Sequence, residues 1–448
     1  MSLQGAAKSF RTPFLTQYID GEDKKKTGFY MGILTGSAIF GPAIAYGLGG
    51  YFSNIYVTLE DIDMSTKDPR WIGAWWLGFL VFGVFSLIVV FPVVCFPRRL
   101  AEKVKQKEEP EISLMKKEEL QISDEKHDCA TMSTFAIIKE RAASYIRVMK
   151  SLVYTCMVFA GVLHMSSIVG PVAFKTKYVA DQFGVPLWKA NVLISGLTMA
   201  TVSIGAFLGG VITRKIKMSP RMIVGFIIIL HIGQVVFHGG LIFVGCEQPE
   251  IVGPETKANV SELCHCEPSE FLPICGTNSL NYHSPCYAGC TEAVRNGRIY
   301  RNCTMIPDGE ASAGLCPFDC NTLIPYLVLT LLGSACGSLK IMPLFMATIR
   351  SVEDRDKSTA AGLQSIIVSL LAFIPAPIIF GKVIDTTCLI WDSSSKRKGA
   401  CSLYNIESLR YGIFGTVLVY KAAAIILFSI ALCKVWKIKD WSELRQKH

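Results

Sequence analysis

The sequence predicts an all-α polytopic membrane protein that carries a small disulfide-rich extracellular module. About half of its 448 residues (51%) are hydrophobic, and the mean hydropathy is +0.38. Several apolar runs reach the roughly 20 residues that a helix needs to cross the hydrocarbon core of a bilayer. Between Cys246 and Cys320, however, nine cysteines lie in a hydrophilic stretch. Because disulfides persist in oxidising compartments, this stretch belongs outside the cytosol.

The apolar runs divide into eight predicted spans. Their approximate limits are 28–50, 71–96, 151–174, 190–213, 222–245, 322–347, 359–385 and 411–433. Lysine and arginine concentrate in alternate connections between the spans, and the positive-inside rule assigns such connections to the cytoplasm. We therefore expect a multi-pass plasma-membrane protein in the lipid bilayer, with both termini cytoplasmic.

The spans also set the predicted domain organisation. In chain order it comprises a cytoplasmic N-terminal segment (1–27), two spans (28–96), a charged cytoplasmic linker (97–150), three spans (151–245), the extracellular module (246–321), three spans (322–433) and a cytoplasmic tail (434–448). The net charge of +9 resides mainly in the cytoplasmic loops, so we expect no nucleic-acid partner. The sequence shows no Walker motif and no suggestive Ser/His/Asp set, so we expect neither an enzyme nor a cofactor.

Six cysteines at the centre of the module predict a disulfide framework. They are Cys264, Cys266, Cys275, Cys286, Cys290 and Cys303. Spacing alone does not fix their connectivity. Cys388 and Cys401 in the last outer loop could pair with each other, and the eleven outer cysteines leave at least one unpaired or bonded to another chain. A zinc site around His265 is the disfavoured alternative, because dense cysteines in this compartment favour disulfides.

Asn259 and Asn302 each begin an N-x-S/T sequence inside the predicted module. Such sequences accept N-linked glycans when they lie on the outer side of the membrane. We therefore predict glycosylation at both positions, with Asn302 the weaker acceptor because its neighbour Cys303 belongs to the predicted disulfide framework.

Lys340 is the most informative charged residue inside a predicted span. Its helix ends at Arg350, ten residues later, and a rise of 1.5 Å per residue makes this about 15 Å. The ammonium group would then lie near the bilayer midplane, where ionisable residues mark functional sites. We hypothesise that it contacts substrate. The alternatives are a lysine paired with a carbonyl group or a helix boundary displaced by one turn.

Three histidines, His164, His231 and His238, also lie in predicted spans. His231 and His238 are seven residues apart and share one helical face with Gln234 between them. We hypothesise that this face lines a substrate path or senses protons. The alternative is a set of neutral histidines that are hydrogen-bonded inside a helical bundle.

Residues 68–80, DPRWIGAWWLGFL, form a tryptophan-rich string at an outer membrane boundary. Its characteristic residues are Asp68, Arg70, Trp71, Gly73, Trp75, Trp76 and Gly78. Tryptophan is typical of membrane interfaces, which explains the three rings but not the whole string.

In the fourth predicted span, Gly205 and Gly209 form a small-xxx-small pattern that predicts close helix packing.

The string DPRWIGAWWLGFL is similar, nearly letter for letter, to the signature of the organic anion transporting polypeptide family. The segments YIDGEDKKKTGFYMGIL and FGKVIDTTCLIW resemble the same family. The cysteine pattern CHCEPSEFLPICGTNSLNYHSPCYAGC resembles the Kazal-like module that the family places between two spans. The resemblance covers nearly the whole chain, which is identified as a member. Some departures are typical of divergent gonad-type branches.

The resemblance implies a major-facilitator fold of twelve helices in two six-helix bundles. Here about 8 of 12 helices are expected, as in an N-terminally truncated member: spans three to eight form one bundle, and spans one and two are a remnant of the other. The implied function is sodium-independent transport of small amphipathic organic anions, such as bile salts, steroid conjugates and thyroid hormones. The implied mechanism is alternating access.

Two alternatives follow because alternating access requires two bundles that move against each other. The chain could be a truncated non-transporting isoform that modulates a full-length partner in a homo- or hetero-oligomer. A membrane-anchored Kazal-type protease inhibitor is the disfavoured alternative, because eight spans are far more than such an inhibitor needs as an anchor.

The resemblance also implies particular residue roles. A Kazal pairing gives Cys264–Cys290, Cys266–Cys286 and Cys275–Cys303. Family members commonly carry an arginine at the position of Ser369, and this arginine is missing here. We hypothesise that Lys340 on the preceding helix takes over the cationic contact with substrate.

Overall fold

The computed structural model of the protein describes residues 27–60, 71–94, 134–215, 219–253, 271–294, 299–317, 320–391, 399–441 and 443. Within these ranges the chain is mostly helical, and seven helical segments are long and apolar enough to cross a membrane. This is the architecture of a polytopic membrane protein. The first predicted span, 28–50, forms a 26-residue helix that is not one of these seven, so the number of eight spans stays a prediction.

The helices of the described residues are numbered in chain order. They are α1 (Thr27–Phe52), α2 (Trp75–Val94), α3 (Thr134–Lys150), α4 (Leu152–Val172), α5 (Lys175–Phe183), α6 (Leu187–Leu193), α7 (Ala200–Lys215), α8 (Pro220–Gly240), α9 (Leu323–Leu339), α10 (Ile341–Arg350), α11 (Lys357–Val368), α12 (Pro375–Asp385) and α13 (Ile406–Val435). Two wider π-helical segments, Ile194–Met199 and Ser369–Phe373, join α6 to α7 and α11 to α12.

Three of the predicted spans are not single regular helices. The span predicted at 190–213 combines α6, a π segment and α7, and the span at 359–385 contains the second π segment. The span at 322–347 divides at Lys340, between α9 and α10. All of these pieces are apolar, so hydropathy does not reveal the breaks. π segments are frequent at functional sites, which directs attention to the helices around them.

The antiparallel pair α4 and α13 forms the centre of the helical bundle. α8 packs against α13 and α9, and α7 packs against α9 and α1. Met157, Ile227 and Phe428 belong to a buried apolar cluster between α4, α8 and α13. Any polar side chain in the same layer is therefore removed from water and needs a partner within the protein.

Gly205 and Gly209 bring α7 close to the C-terminal end of α9. A Cβ atom at Gly205 would overlap the side chain of Ser338, and one at Gly209 would overlap the backbone oxygen of Leu339. The close packing predicted for this small-xxx-small face is therefore confirmed.

Helix α3 is anchored to the turn before α11. Ser144 Oγ donates a 2.7 Å hydrogen bond to Asp356 Oδ1, and Arg147 Nε donates a 3.0 Å hydrogen bond to Asp356 Oδ2. These hydrogen bonds raise the pKa of the Arg147 guanidinium above its usual value. The last part of the predicted linker is thus a helix fixed to the bundle; residues 95–133 lie outside the described ranges.

The cysteine-rich module contains a sheet of six short strands. They are β1 (Ile251–Val252), β2 (Ile274–Gly276), β3 (Asn281–Tyr282), β4 (Glu292–Val294), β5 (Ile299–Arg301) and β6 (Ala311–Ala313). Their order is β1-β3-β2-β6-β5-β4, and only the β1–β3 pair is parallel. The buried core around Ile274 and Ile306 is small, so disulfides are needed to stabilise it. A separate hairpin, β7 (Cys388–Trp391) and β8 (Cys401–Tyr404), precedes α13.

Among the described residues, two hydrogen bonds join the base of the module to the helical bundle. Gln182 Nε2 on α5 donates a 3.3 Å hydrogen bond to the backbone oxygen of Cys246. The backbone nitrogen of Ile406, at the start of α13, donates a 2.9 Å hydrogen bond to Gln248 Oε1. We call this end of the bundle the module end.

Four disulfides join described cysteines. They are Cys246–Cys320, Cys275–Cys316, Cys290–Cys303 and Cys388–Cys401. The predicted pairing of Cys388 with Cys401 is confirmed. Cys286 also forms a disulfide, but its predicted partner Cys266 lies outside the described residues, as do Cys264, His265 and the glycosylation acceptor Asn259. Asn302 is exposed and stays a predicted acceptor.

Two of the pairings taken from the Kazal resemblance, Cys264–Cys290 and Cys275–Cys303, are wrong. The β4–β5 hairpin places Cys290 and Cys303 next to each other, and they form a disulfide. The β2–β6 pairing sets Cys275 opposite Ser312, four residues before Cys316, which becomes its partner. The strand pairing, and not the order of the cysteines along the chain, therefore determines which cysteines are bonded. The Kazal-like character of the module stays a prediction.

Two of the three described tryptophans of the signature string stabilise the turn that follows α1. Trp71 Nε1 donates a 2.9 Å hydrogen bond to the backbone oxygen of Ser53, and Trp76 Nε1 donates a 3.1 Å hydrogen bond to that of Val57. A Cβ atom at Gly73 would overlap the backbone of Ser53. Trp75 is 68% exposed and makes an edge contact with Phe79. Asp68 and Arg70 lie outside the described residues, and Gly78 lies on α2.

Candidate functional site

Lys340 lies fully buried at the junction of α9 and α10, with 0% of its surface exposed. Its Nζ donates a 2.8 Å hydrogen bond to Gln234 Oε1 and a second hydrogen bond to His231 Nδ1. His231 Nε2 donates a 3.1 Å hydrogen bond to the backbone oxygen of Lys421. This tautomer leaves Nδ1 free to accept a hydrogen bond from Lys340. The donor and acceptor roles of Lys340, His231 and the Lys421 carbonyl are therefore compatible.

Lys421 is a second fully buried lysine, which was not among the residues predicted from the sequence. It lies in the middle of α13 with 0% of its surface exposed. Its Nζ donates a 3.2 Å hydrogen bond to Ser167 Oγ on α4. The sequence does mark this residue, because it is a single lysine in the apolar stretch GIFGTVLVYKAAAIILFSI. Lys340 is likewise a single lysine in its own span.

His164 completes the buried basic cluster, which we define as Lys340, Lys421, His231 and His164. The rings of His164 and His231 meet edge to face with their centroids 5.7 Å apart. Both ring nitrogens of His164 lack a hydrogen-bond partner among the described residues. Within the same described part of the chain, no carboxylate forms an ion pair with Lys340 or Lys421. The cluster is therefore a concentration of basic groups without acidic partners.

The other predicted site residues are placed differently. His238 Nδ1 donates a 2.9 Å hydrogen bond to the backbone oxygen of Gln234, one turn earlier on α8. The structure thus brings Lys340, His231, Gln234 and His238 together. Ser369 begins the second π segment, is half-buried and does not join them. The substrate-contact roles of all five residues stay predictions.

A cavity of about 170 Å³ lies beside the buried basic cluster. Helices α4, α5, α7, α8, α9, α10 and α13 line it, together with the π segment Ile194–Met199. Residues from Tyr326 to Ser338 of α9 follow its wall, and these twelve residue steps correspond to roughly 18 Å at 1.5 Å per residue. The cavity is therefore elongated along the bundle, and most of its lining is apolar.

Each buried lysine is separated from this cavity by one neutral side chain. Gln234 accepts the hydrogen bond of Lys340 and also lines the cavity. Ser167 accepts the hydrogen bond of Lys421 and lines the cavity as well. Lys340, Lys421 and His231 do not line it themselves. The lysines can therefore act on a ligand through the electrostatic potential, or directly after a change of rotamer at Gln234 or Ser167.

At the module end, the cavity is lined by Lys175 and Tyr178. Both belong to α5, three residues apart, and so share one helical face. Neither residue was predicted from the sequence, because both follow the third predicted span, where polar residues are common. The cavity thus has a lysine on its wall at one end and two lysines behind its wall deeper in the bundle.

Comparison with known proteins identifies a matching family and several similar sequences. The model of the Organic Anion Transporter Polypeptide (OATP) family matches residues 1–409. Solute carrier organic anion transporter family member 2B1 of Rattus norvegicus is 30% identical over 465 residues, which cover 94% of this chain and 67% of the relative. Member 1B1 of Homo sapiens is 31% identical over 483 residues, which cover 98% of this chain and 69% of the relative.

Member 1C1 of Mus musculus is also similar, with 31% identity over 474 residues that cover 95% of this chain and 65% of the relative. The chain spans about two thirds of the length of these relatives. The family match extends over most of the chain and includes both the signature string and the cysteine-rich module. The chain therefore belongs to the Organic Anion Transporter Polypeptide (OATP) family.

Proposed function

We propose that this chain transports small amphipathic organic anions across the membrane and that the elongated cavity holds the anion. The observation that carries the proposal is the position of Lys340 and Lys421, each one neutral side chain away from the cavity. A unit charge separated from an ion by one side chain, roughly 7 Å away, contributes about 2.4 kcal/mol at an effective dielectric constant of about 20. Two lysines without carboxylate partners therefore favour a negatively charged ligand over a neutral one of the same shape.

The substrates are bile salts, steroid conjugates or thyroid hormones, moved independently of sodium by alternating access. The apolar wall of the cavity suits the body of such molecules, and the basic cluster suits their sulfate or carboxylate group. The relatives are organic anion transporters by name, which supports the same class of substrate. The protein acts at the plasma membrane, with the module outside and both termini in the cytoplasm.

Counterflow in proteoliposomes tests this function. Vesicles that contain the purified chain are loaded with an unlabelled sulfated steroid, and uptake of the radiolabelled compound is followed with and without sodium. We expect accelerated uptake that does not depend on sodium. Vesicles without the protein give the background. Uptake equal to this background would contradict transport and would favour a non-transporting protein that modulates a partner.

Lys340→Met tests the role of the cluster in the same assay. We expect uptake of the sulfated steroid to fall at least about tenfold, which corresponds to about 1.4 kcal/mol of lost stabilisation. Lys382→Met is the control, because Lys382 is exposed on α12. A Lys340→Met protein that elutes as the wild type does in size-exclusion chromatography and keeps full uptake would contradict the proposed role.

A further inference from the structure

The module end of the cavity contains two polar groups that lack partners. The ammonium of Lys175 makes no hydrogen bond and no ion pair with any described residue. The hydroxyl of Tyr178 is buried, with 2% of the residue exposed, and it also lacks a hydrogen-bond partner in the described part of the chain. Lys175 itself is half-buried. Buried polar groups are nearly always paired in folded proteins, so an orphaned buried hydroxyl on the same helical face as an unpaired ammonium requires an explanation.

Both groups are directed to the same space. Lys175 and Tyr178 lie on one face of α5, and both line the cavity. Lys175 is the first residue of α5, where the helix dipole adds positive potential. The first turn of α5 contains no acidic residue. The nearby Asp181 is already paired with Lys177 at 3.0 Å and does not line the cavity.

We propose that Lys175 and Tyr178 form an anion subsite that binds the sulfate or carboxylate group of an amphipathic ligand at the module end of the cavity. The ammonium and the hydroxyl each donate a hydrogen bond to the anionic oxygens, and such charge-assisted bonds are the strong ones. The apolar body of the ligand then lies along α9 towards Gln234. This inference deepens the proposed function and rests on it.

The charge state of Lys175 is compatible with this role. Burial lowers the pKa of its ammonium to about 8, because a charged group is less stable away from water. Most of the lysine is still protonated at pH 7. An anion in contact with it would restore the lost solvation and hold the proton on the lysine.

Binding to the full-length chain in nanodiscs tests the subsite. The discs contain neutral phosphatidylcholine, and the ligands are a sulfated steroid and the same steroid without its sulfate group. We expect Lys175→Gln to weaken binding of the sulfated steroid at least about tenfold, since hydrogen bonds between charged groups are among the strong ones. Binding of the unsulfated steroid should stay unchanged. Lys175→Arg should stay within about threefold of the wild type, and Tyr178→Phe should weaken only the sulfated steroid.

Lys189→Gln is the matched control, because Lys189 is exposed on α6 and does not line the cavity. Unchanged affinity of the Lys175→Gln protein for the sulfated steroid would overturn the subsite. Equal losses for both steroids would also overturn it, since they would indicate a purely structural role. A wild-type chain that does not distinguish the two steroids would instead refute the proposed function itself.

A second set of discs containing anionic phosphatidylglycerol distinguishes a soluble ligand from a lipid headgroup. If the subsite prefers a lipid headgroup to a soluble anion, the anionic lipid competes with the sulfated steroid. The anionic discs then weaken binding of the sulfated steroid to the wild type but not to Lys175→Gln. If it serves soluble anions, the two kinds of disc give the same affinity. An equal effect of the anionic discs on both proteins would contradict lipid binding at Lys175.

Discussion

The side-chain amide of Gln234 stands between Lys340 and the cavity. Its Oε1 accepts a 2.8 Å hydrogen bond from Lys340 Nζ, while the same side chain forms part of the cavity wall. Gly337 on α9 makes room for it, because a Cβ atom there would approach Gln234 Nε2 too closely. Gln234 therefore holds the lysine in place and also presents its dipole to whatever occupies the cavity.

Replacement of Gln234 by leucine should destabilise the protein. Lys340 Nζ would keep its hydrogen bond to His231 but lose its 2.8 Å acceptor on Gln234. One of its buried N–H groups would then have no partner, which costs about 1–3 kcal/mol. We expect a lower midpoint of thermal unfolding in detergent. Ile232→Leu on the same helix is the control, because Ile232 is 46% exposed. An unchanged midpoint for Gln234→Leu would show that the hydrogen bond contributes nothing to stability.

Lys421→Met should reduce anion transport while the protein stays folded. Replacement of a buried charge by an apolar side chain of similar shape is often neutral for stability, but it removes the positive potential behind Ser167. We expect uptake of a sulfated steroid to fall at least about tenfold in proteoliposomes, by the Coulomb estimate given above. Lys382→Met again serves as the control. Wild-type uptake by a well-folded Lys421→Met protein would remove Lys421 from the site.

The affinity for a sulfated steroid should fall as the pH rises from 7 to 9. Lys175 has a pKa lowered to about 8, and a bound anion stabilises its charged form. Binding is therefore strongest below this pKa and weakens above it, when the free ammonium loses its proton. The sulfate group keeps its charge throughout this range. Lys175→Arg should flatten the profile, because a guanidinium stays protonated at these pH values.

Other charged and titratable groups near the subsite remain the same in this comparison. Burial raises the pKa of Tyr178, so its hydroxyl stays neutral. Arg410 on α13 acts electrostatically on that hydroxyl, and His238 interacts electrostatically with Lys175. All of them are present in both proteins. Identical pH profiles for the wild type and Lys175→Arg would assign the dependence to one of these groups instead.

Peptide mapping without reduction should find Cys275 linked to Cys316 and Cys290 linked to Cys303. The pairing follows from the β2–β6 and β4–β5 strand pairs, which bring these cysteines together. The measurement is mass spectrometry of a proteolytic digest, with a reduced digest as the control. A peptide that links Cys275 to Cys303 would contradict the strand arrangement.

Gly209→Ala and Gly225→Ala should change stability in opposite directions. Alanine in a helix is more favourable than glycine by about 0.8–1.0 kcal/mol, and no atom lies within 4 Å of a Cβ atom at Gly225. At Gly209 the same methyl group would collide with the backbone of Leu339, and such overpacking costs typically about 1–3 kcal/mol. We expect a lower thermal midpoint for Gly209→Ala and an equal or higher one for Gly225→Ala. Equal shifts would contradict the close approach of α7 and α9.

The sequence predicts the membrane class and part of the site, because both depend on local patterns. Single lysines in apolar runs stand out, and the spacing of His231, Gln234 and His238 places them on one helical face. The partnership of Lys340 with His231 and Gln234 is different, since it joins residues more than 100 positions apart on separate helices. Only the packing of α8 against the α9–α10 junction reveals it.

The missed features have physical causes. Lys175 lies at the end of a span, where a lysine usually reaches water, and its unpaired state is visible only once α5 packs over the cavity. The π segment Ile194–Met199 is as apolar as its neighbours, so its wider winding leaves no trace in hydropathy. Disulfide connectivity depends on strand register, which the cysteine spacing does not contain.

The short helix α5 serves both the cavity and the module. Lys175 at its beginning lines the cavity, and Gln182 near its end is hydrogen-bonded to the backbone of Cys246 at the base of the module. Nine helical residues span only about 14 Å, which is too short to bend appreciably. An antibody fragment bound at the base of the module would therefore also restrict the movement of Lys175. Such a fragment could hold this transporter in one conformation for imaging.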